Sequence, residues 1–503
     1  MKTSTLALGL FLLAPIFTNA QIEYLERKEI DLKDDVNLSE INPMSDRGLL
    51  LLMMDTDVKK GNRDWFYDFY NTNLEINKQE KVVLDKKLSI VGTIETKEKV
   101  VSMYQETGKK AFQIITYLSE SEEIVSTKGE LPKKTVIRSI YLLDDVIFAV
   151  GYLKREPVIW RINWNTGIKR ILPISVPAFK LKELKIMEVQ TLGGSKEVFV
   201  FIKAIENKRS HSTFVIKYDE EGRKKEFYEV KTDEEHQLMS SSASRIDNEE
   251  YIFNGTYSTP KSSASNGLYI GKMKDQKLNF LKYYNFLDLD NFLSYLPEKK
   301  QEKIEKKKRR KRNKGKELNI SYLIAAHDVI PAKDGYIFIG EAYYATYRTV
   351  TNTVYVNGQA QTTTTTVFDG YQYTHAVITK FSKEGDLLWD RTFDLDPGYK
   401  PYSRRKFISV TQADDGSLKM AYGSKNKVVI KSIDLTNGEI IQDLESSEIE
   451  LYSENDKSKK RRAFSKVIHW YDDYFIAHGS QKIKNKEEGK RNVYFISKIK
   501  FNN

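Results

Sequence analysis

SIYLLDDVIFAVGY, residues 139–152, decides the fold because the chain repeats its plan. An apolar strand, a tight polar turn, a second strand and a glycine also make up SRIDNEEYIFNGTY (244–257), VIPAKDGYIFIGEA (329–342), TQADDGSLKMAYGS (411–424) and VIHWYDDYFIAHGS (467–480). The glycines are Gly151, Gly255, Gly340, Gly423 and Gly479; weaker copies without one lie at 43–56, 93–106 and 191–204. Two more strands follow, joined by turns that hold Gly167, Gly222, Gly385 and Gly438, where a short hairpin needs a left-handed residue. Units of four short antiparallel strands, about 40–45 residues long, read as propeller blades. Eight units begin near residues 36, 87, 132, 181, 236, 318, 402 and 460. The last lacks a strand, and IEYLERKEIDLK (22–33) precedes the first unit without a partner. Pairing it beside the final strand would close the ring and remove two exposed sheet edges. The expected fold is therefore an all-β propeller over residues 21–503, with seven blades or two stacked sandwiches as alternatives.

Lys2, the apolar run LALGLFLLAPIF (6–17) and the small residues before Gln21 have the layout of a cleavable export signal over residues 1–20. A run broken by Pro15 is too short for a bilayer, which needs about 20 residues. No other run is long enough, so the mature chain is expected to be periplasmic or otherwise in the cell envelope, without a transmembrane segment. The absence of cysteine excludes thiol nucleophiles, cysteine-ligated zinc and disulfides.

The formal charge is +11, and EKKQEKIEKKKRRKRNKGKE (298–317) supplies +8 of it. The charge is thus one local insertion, not a basic face. Pro297 and Glu298 can start a helix there and Gly315 can stop it. Lys308, Arg309, Arg310 and Arg312 are candidate contacts to an anionic protein or polysaccharide. Without an aromatic side chain for base stacking, the block does not point to nucleic acid.

In an up-and-down blade with strands a to d, the b–c and d–a connections share one face of the ring. The basic insertion (287–320) lies between strand d of the fifth unit and strand a of the sixth; a second insertion (343–373) lies between strands b and c of the sixth. Both should leave from that face, where recognition usually resides on loops. The second insertion is a hairpin about Asn357-Gly358. A two-residue turn without bulges sets Tyr344 opposite Tyr371, Tyr347 opposite Phe368 and Gly340 opposite His375. So long a ribbon is expected to fold across the ring or dock on a partner. Tyr343, Tyr344, Tyr347, Tyr371 and Tyr373 suit such an interface.

No zinc-helix spacing, nucleophile elbow or phosphate loop occurs, and no cofactor is expected. After the b-strand glycine the sixth unit alone carries a carboxylate, Glu341, where its siblings have Tyr152, Thr256, Ser424 and Ser480. His327, Asp328, Asp369 and His375 belong to the same unit. The expected function is non-catalytic binding of a macromolecule through this face. The alternative is a glycan-active enzyme using Glu341, Asp369 and His375.

HDVIPAKDGYIFIGEAYYATYR (327–348) and VFDGYQYTHAVITKFSKEGDLLWD (367–390) resemble segments of a group of exported bacterial proteins, propeller-like, that carry GEAYY and FDGY-YTHA behind a basic loop. The resemblance is specific over residues 296–396. It implies an exported envelope protein and brings no reaction with it.

Overall fold

Leu49, Leu50, Leu51 and Leu52 are all fully buried, but they alternate between two cores. Successive side chains of a strand point to opposite faces, so this run demands a sheet covered on both sides. The computed structural model describes residues 22–31, 36–207, 210–247, 250–260, 262–275, 277–356, 359–458, 464–487 and 489–501. Among the described residues it contains eight sheets; seven run in chain order, and the eighth ends with the first strand beside the last. Blades 1 to 7 span residues 36–85, 89–130, 135–172, 184–230, 237–285, 323–394 and 409–448. Blade 8 joins Phe464–Tyr471, Tyr474–Asn485 and Gly489–Phe501 to Ile22–Asp31. One apolar cluster fills each gap between adjacent blades, eight in all. The cluster between blades 8 and 1 completes the ring, and Trp470 donates its indole N–H to the Gly48 carbonyl across it.

The repeat glycines have a steric cause. A Cβ on Gly151, Gly255 or Gly479 would stand 2.0, 2.0 or 1.8 Å from a carbonyl oxygen of strand a in the same blade. The turn glycines 167, 222, 385 and 438 all have positive φ, between 70° and 80°, as their hairpins require.

Ile22–Asp31 is the fourth strand of blade 8, antiparallel to the last strand from Ile22 opposite Phe501 to Asp31 opposite Val493. Charge reinforces the seam. Glu29 accepts from Arg27 at 2.6 Å and from Arg491, and Arg491 also reaches Asp456 at 2.7 Å. The ring thus closes as the unpaired segment suggested. The expected export signal and the Asn357-Gly358 turn lie outside the described residues.

Candidate functional site

The basic insertion is half core and half surface. Phe286, Leu287, Leu289, Phe292 and Leu293 sink into the cluster between blades 5 and 6. This wedge carries the helix Glu298–Arg312, with Pro297 at its N-cap, and Gly315 turns the chain at φ 64°. Arg309, Arg310 and Arg312 are exposed. Lys308 instead turns inward and donates to the Leu287 carbonyl at a small cleft.

The second insertion is a continuous ribbon of Gly335–Val356 and Gln359–Ser382. Tyr347 does face Phe368, but Tyr344 pairs with Gln372 and Gly340 with Val377. Two bulges cause the shift, one extra residue entering at Thr374 and another in the Asp369-Gly370 pair opposite Thr346. Gly370 takes φ 91°, and a Cβ there would lie 2.8 Å from the Lys400 carbonyl oxygen.

That contact belongs to a strap, residues 395–408, which links blades 6 and 7 on the same face. Tyr371 N–H donates to the Pro401 carbonyl at 2.9 Å. The Tyr373 hydroxyl donates to the Arg405 carbonyl at 2.6 Å and accepts its N–H at 3.0 Å. Lys400 reaches Asp369 at 3.0 Å, and Lys406 reaches Asp328 at 3.4 Å. Glu341, fully buried, accepts from Phe407 N–H and Ile408 N–H at 2.9 Å and meets His327 Nε2 at 2.8 Å. The odd carboxylate of the sixth blade is thus the strap's anchor.

The strap carries charge toward blades 4 and 8. Arg404 lies within electrostatic reach of Glu188 and Lys203 in blade 4, and Arg405 within reach of Lys466 in blade 8, on the opposite side of the ring. Burial pushes the Glu188 carboxyl up, and the Lys406 cation opposes that rise.

His375 occupies an aromatic box. Tyr295 stacks on it at 3.7 Å, and Phe292 and Tyr322 stand edge-on at 5.2 and 5.3 Å. The roots of both insertions therefore meet at this ring. Burial lowers its pKa to about 3, so it is neutral; its Nδ1 bonds the Thr374 hydroxyl.

Four expected contact residues are corrected by this geometry: Glu341, Tyr343, Tyr373 and His375 are buried and cannot touch a docking partner. Their polar groups or rings are occupied by the strap and the wedge. Asp369 is held between Lys400 and Arg348, so Glu341, Asp369 and His375 do not converge on a solvent-facing reaction centre. Tyr344 and Tyr347 remain exposed, Asp328 is exposed, and His327 and Tyr371 are half-buried. Among the described residues no three metal-ligating side chains gather, and no helix is long and apolar enough to cross a membrane.

The strap was missed in the sequence, although its two prolines, two tyrosines and Arg404-Arg405-Lys406 run mark an unusually rich connection. Beyond Tyr347 and Phe368 the ribbon enters solvent: Thr349, Thr351 to Val354 and Gln359 to Thr366 are exposed. It does not fold across the ring. Register places Thr349 opposite Thr366, Thr351 opposite Thr364 and Thr353 opposite Thr362, a threonine ladder on one face. No ionisable group except Tyr355 lies between Thr349 and Val367.

No protein-family model matches the chain, and no curated protein matches it. Solved structures resemble it at low identity. The β-propeller domain of the Trilobed protease from Pyrococcus furiosus is 9% identical with a TM-score of 0.34, over 81% of this chain and 98% of that one. Protein lmo1340 from Listeria monocytogenes EGD-e is 11% identical with a TM-score of 0.40, over 84% and 97%. Prolyl oligopeptidase B from Galerina marginata is 9% identical with a TM-score of 0.39; the match covers 90% of this chain but only 56% of that one. The eight sheets and eight inter-blade cores of the chain itself establish its fold.

Proposed function

We propose that this protein is an exported, non-catalytic propeller of the cell envelope that captures a partner protein on the face bearing the ribbon, the strap and the cationic helix. One observation carries the reading: the outer ribbon is exposed on both faces, and among the described residues its strands pair only with each other. Each strand thus offers a free row of backbone donors and acceptors, a template for another strand. Its uncharged, threonine-rich sequence imposes no charge barrier to pairing. The helix beside it supplies long-range attraction for an acidic partner. Burial of Glu341 and His375 supports binding over proton transfer.

The test compares intact protein with a variant in which residues 349–366 are replaced by a two-residue turn. Capture from envelope extract should be lost while the melting temperature stays within a few degrees, because the deleted segment buries little. Proline at Thr351 and Thr364 should also abolish capture by blocking strand addition. Equal capture of one partner by all three proteins would refute the proposal.

A further inference from the structure

Away from the ribbon, on the same face, a cavity of about 420 Å³ opens between blades 4 and 5. Its wall includes Lys185, Lys203, Ser210, Ser262, Ser263 and His211, and no carboxylate lines it among the described residues. Lys185 and Lys203 sit directly opposite one another in adjacent strands, a like-charge pairing that is ordinarily destabilising. Arg404 of the strap adds a third cation within electrostatic reach of Lys203.

Most other inward lysines meet an acid; the exception, Lys498, donates to the Thr72 carbonyl and the Tyr471 hydroxyl and lies over the Trp470, Tyr471 and Tyr474 rings. Lys217, Lys380, Lys419 and Lys431 are buried, and each meets a carboxylate, Glu197 at 3.1 Å, Asp334 at 2.7 Å, Asp473 at 3.3 Å and Asp443 at 2.7 Å. Among the described residues Lys203, half-buried, has only the Met239 sulfur, at 3.9 Å. Burial, then Lys185 and Arg404, lower its pKa to about 8. His211 adds no positive charge at neutral pH: burial and Lys203 lower its pKa, and its Nε2 bonds the Leu238 carbonyl at 2.9 Å. Glu188 faces Arg404 and lies outside the cavity; Glu206, Glu229, Asp233 and Glu234 line an adjoining cavity that shares Ser210, His211, Gln237 and Pro260 but that neither Lys185 nor Lys203 lines.

We propose that this cavity binds a carboxylate-bearing ligand, with Lys203 and Lys185 gripping the anion and the serine hydroxyls contacting its polar body. Its volume lies in the range of small-ligand pockets and suits one or two sugar rings, so an acidic saccharide is the favoured source of the carboxylate and an acidic peptide segment the other. The missing countercharge is what the ligand supplies. This site is independent of strand capture by the ribbon, and either reading survives the loss of the other.

The test titrates full-length protein with glucuronate, with neutral glucose and with a blocked di-glutamate peptide, by calorimetry and by NMR of the lysine side chains. Glucuronate should bind, glucose should not, and the Lys203 signal should titrate at higher pH when the ligand is present. Lys203→Met, which places an apolar chain beside Met239, should preserve folding and weaken glucuronate about tenfold or more, the loss expected of a charge-assisted bond. Binding of the peptide without glucuronate would support the carboxylate site and assign its source to protein. The proposal is overturned if neither anion binds at 10 mM ligand, a concentration on the order of the weakest specific affinities, or if Lys203→Met binds as tightly as the parent.

Discussion

Replacing Glu341 by leucine should cost about 3–5 kcal/mol. The carboxylate is fully buried and receives three donors, the Phe407 and Ile408 amides at 2.9 Å and the His327 ring at 2.8 Å. Each bond to a charged acceptor contributes about 1.5–3 kcal/mol, and each buried donor left alone costs about 1–3 kcal/mol. Desolvation of the carboxylate offsets part of the gross total, which brings the net loss to that of a broken buried pair. A loss of this size is a large share of a stability of about 5–15 kcal/mol. Glutamine retains one carbonyl acceptor but turns its NH₂ toward a donor, so it should fall about halfway. The assay is urea unfolding of the parent, Glu341→Leu and Glu341→Gln, with hydrogen exchange at Phe407 and Ile408. Both amides should exchange faster in the leucine variant than amides in blades 2 and 3. A leucine variant within about 1 kcal/mol of the parent, or one with unchanged exchange in the strap, would refute the anchoring role.

Deleting residues 22–31 should uncover the edge of Gly489–Phe501 and the side of the core holding Ile22, and yield an aggregating protein or a stability loss of several kcal/mol; an unchanged melt would contradict closure. Gly479→Ala should destabilise by about 2 kcal/mol or more, because its Cβ would lie 1.8 Å from the Phe464 carbonyl oxygen, whereas Gly194→Ala, with nothing within 4 Å, should be neutral by denaturant midpoint. His375 is neutral when folded, with a pKa of about 3, so between pH 6.5 and 3 the unfolded chain binds a proton that the folded one refuses, and stability falls as pH falls below 6.5. From pH 7.5 to 5.0 the parent should lose about 2 kcal/mol more than His375→Phe; equal losses would show that the ring protonates in place.

How much of this was legible depended on whether the cause lay near in sequence. The repeat was visible because a strand, a turn, a strand and a close-contact glycine are local. The closing strand was visible because one segment and one blade each lacked a partner. Ribbon register was right at Tyr347 and Phe368 but wrong nearer the blade, because the bulges at Gly370 and Thr374 occur where a distant strap docks. Glu341 stood out as the odd residue among its siblings, but residue type cannot tell a solvent-facing carboxylate from a buried anchor whose amide partners lie 66 and 67 positions away. His375 misled for the same reason, since its aromatic box is built from the neighbouring insertion. Lys185 and Lys203 gave no signal, because their opposition appears only once two strands are paired.

The seam in blade 8 also has a consequence in time. Seven blades assemble from segments that are neighbours along the chain, but this one requires partners such as Arg27 and Ser497, 470 positions apart. Joining ends so distant costs about 5 kcal/mol of chain entropy before any bond rewards it, so it forms last and slowly. Until it forms, the incomplete arc carries bare apolar flanks on its terminal blades, and that is the stage at which a holding chaperone would matter most. Once zipped, the same seam is the latch that unfolding has to lift first.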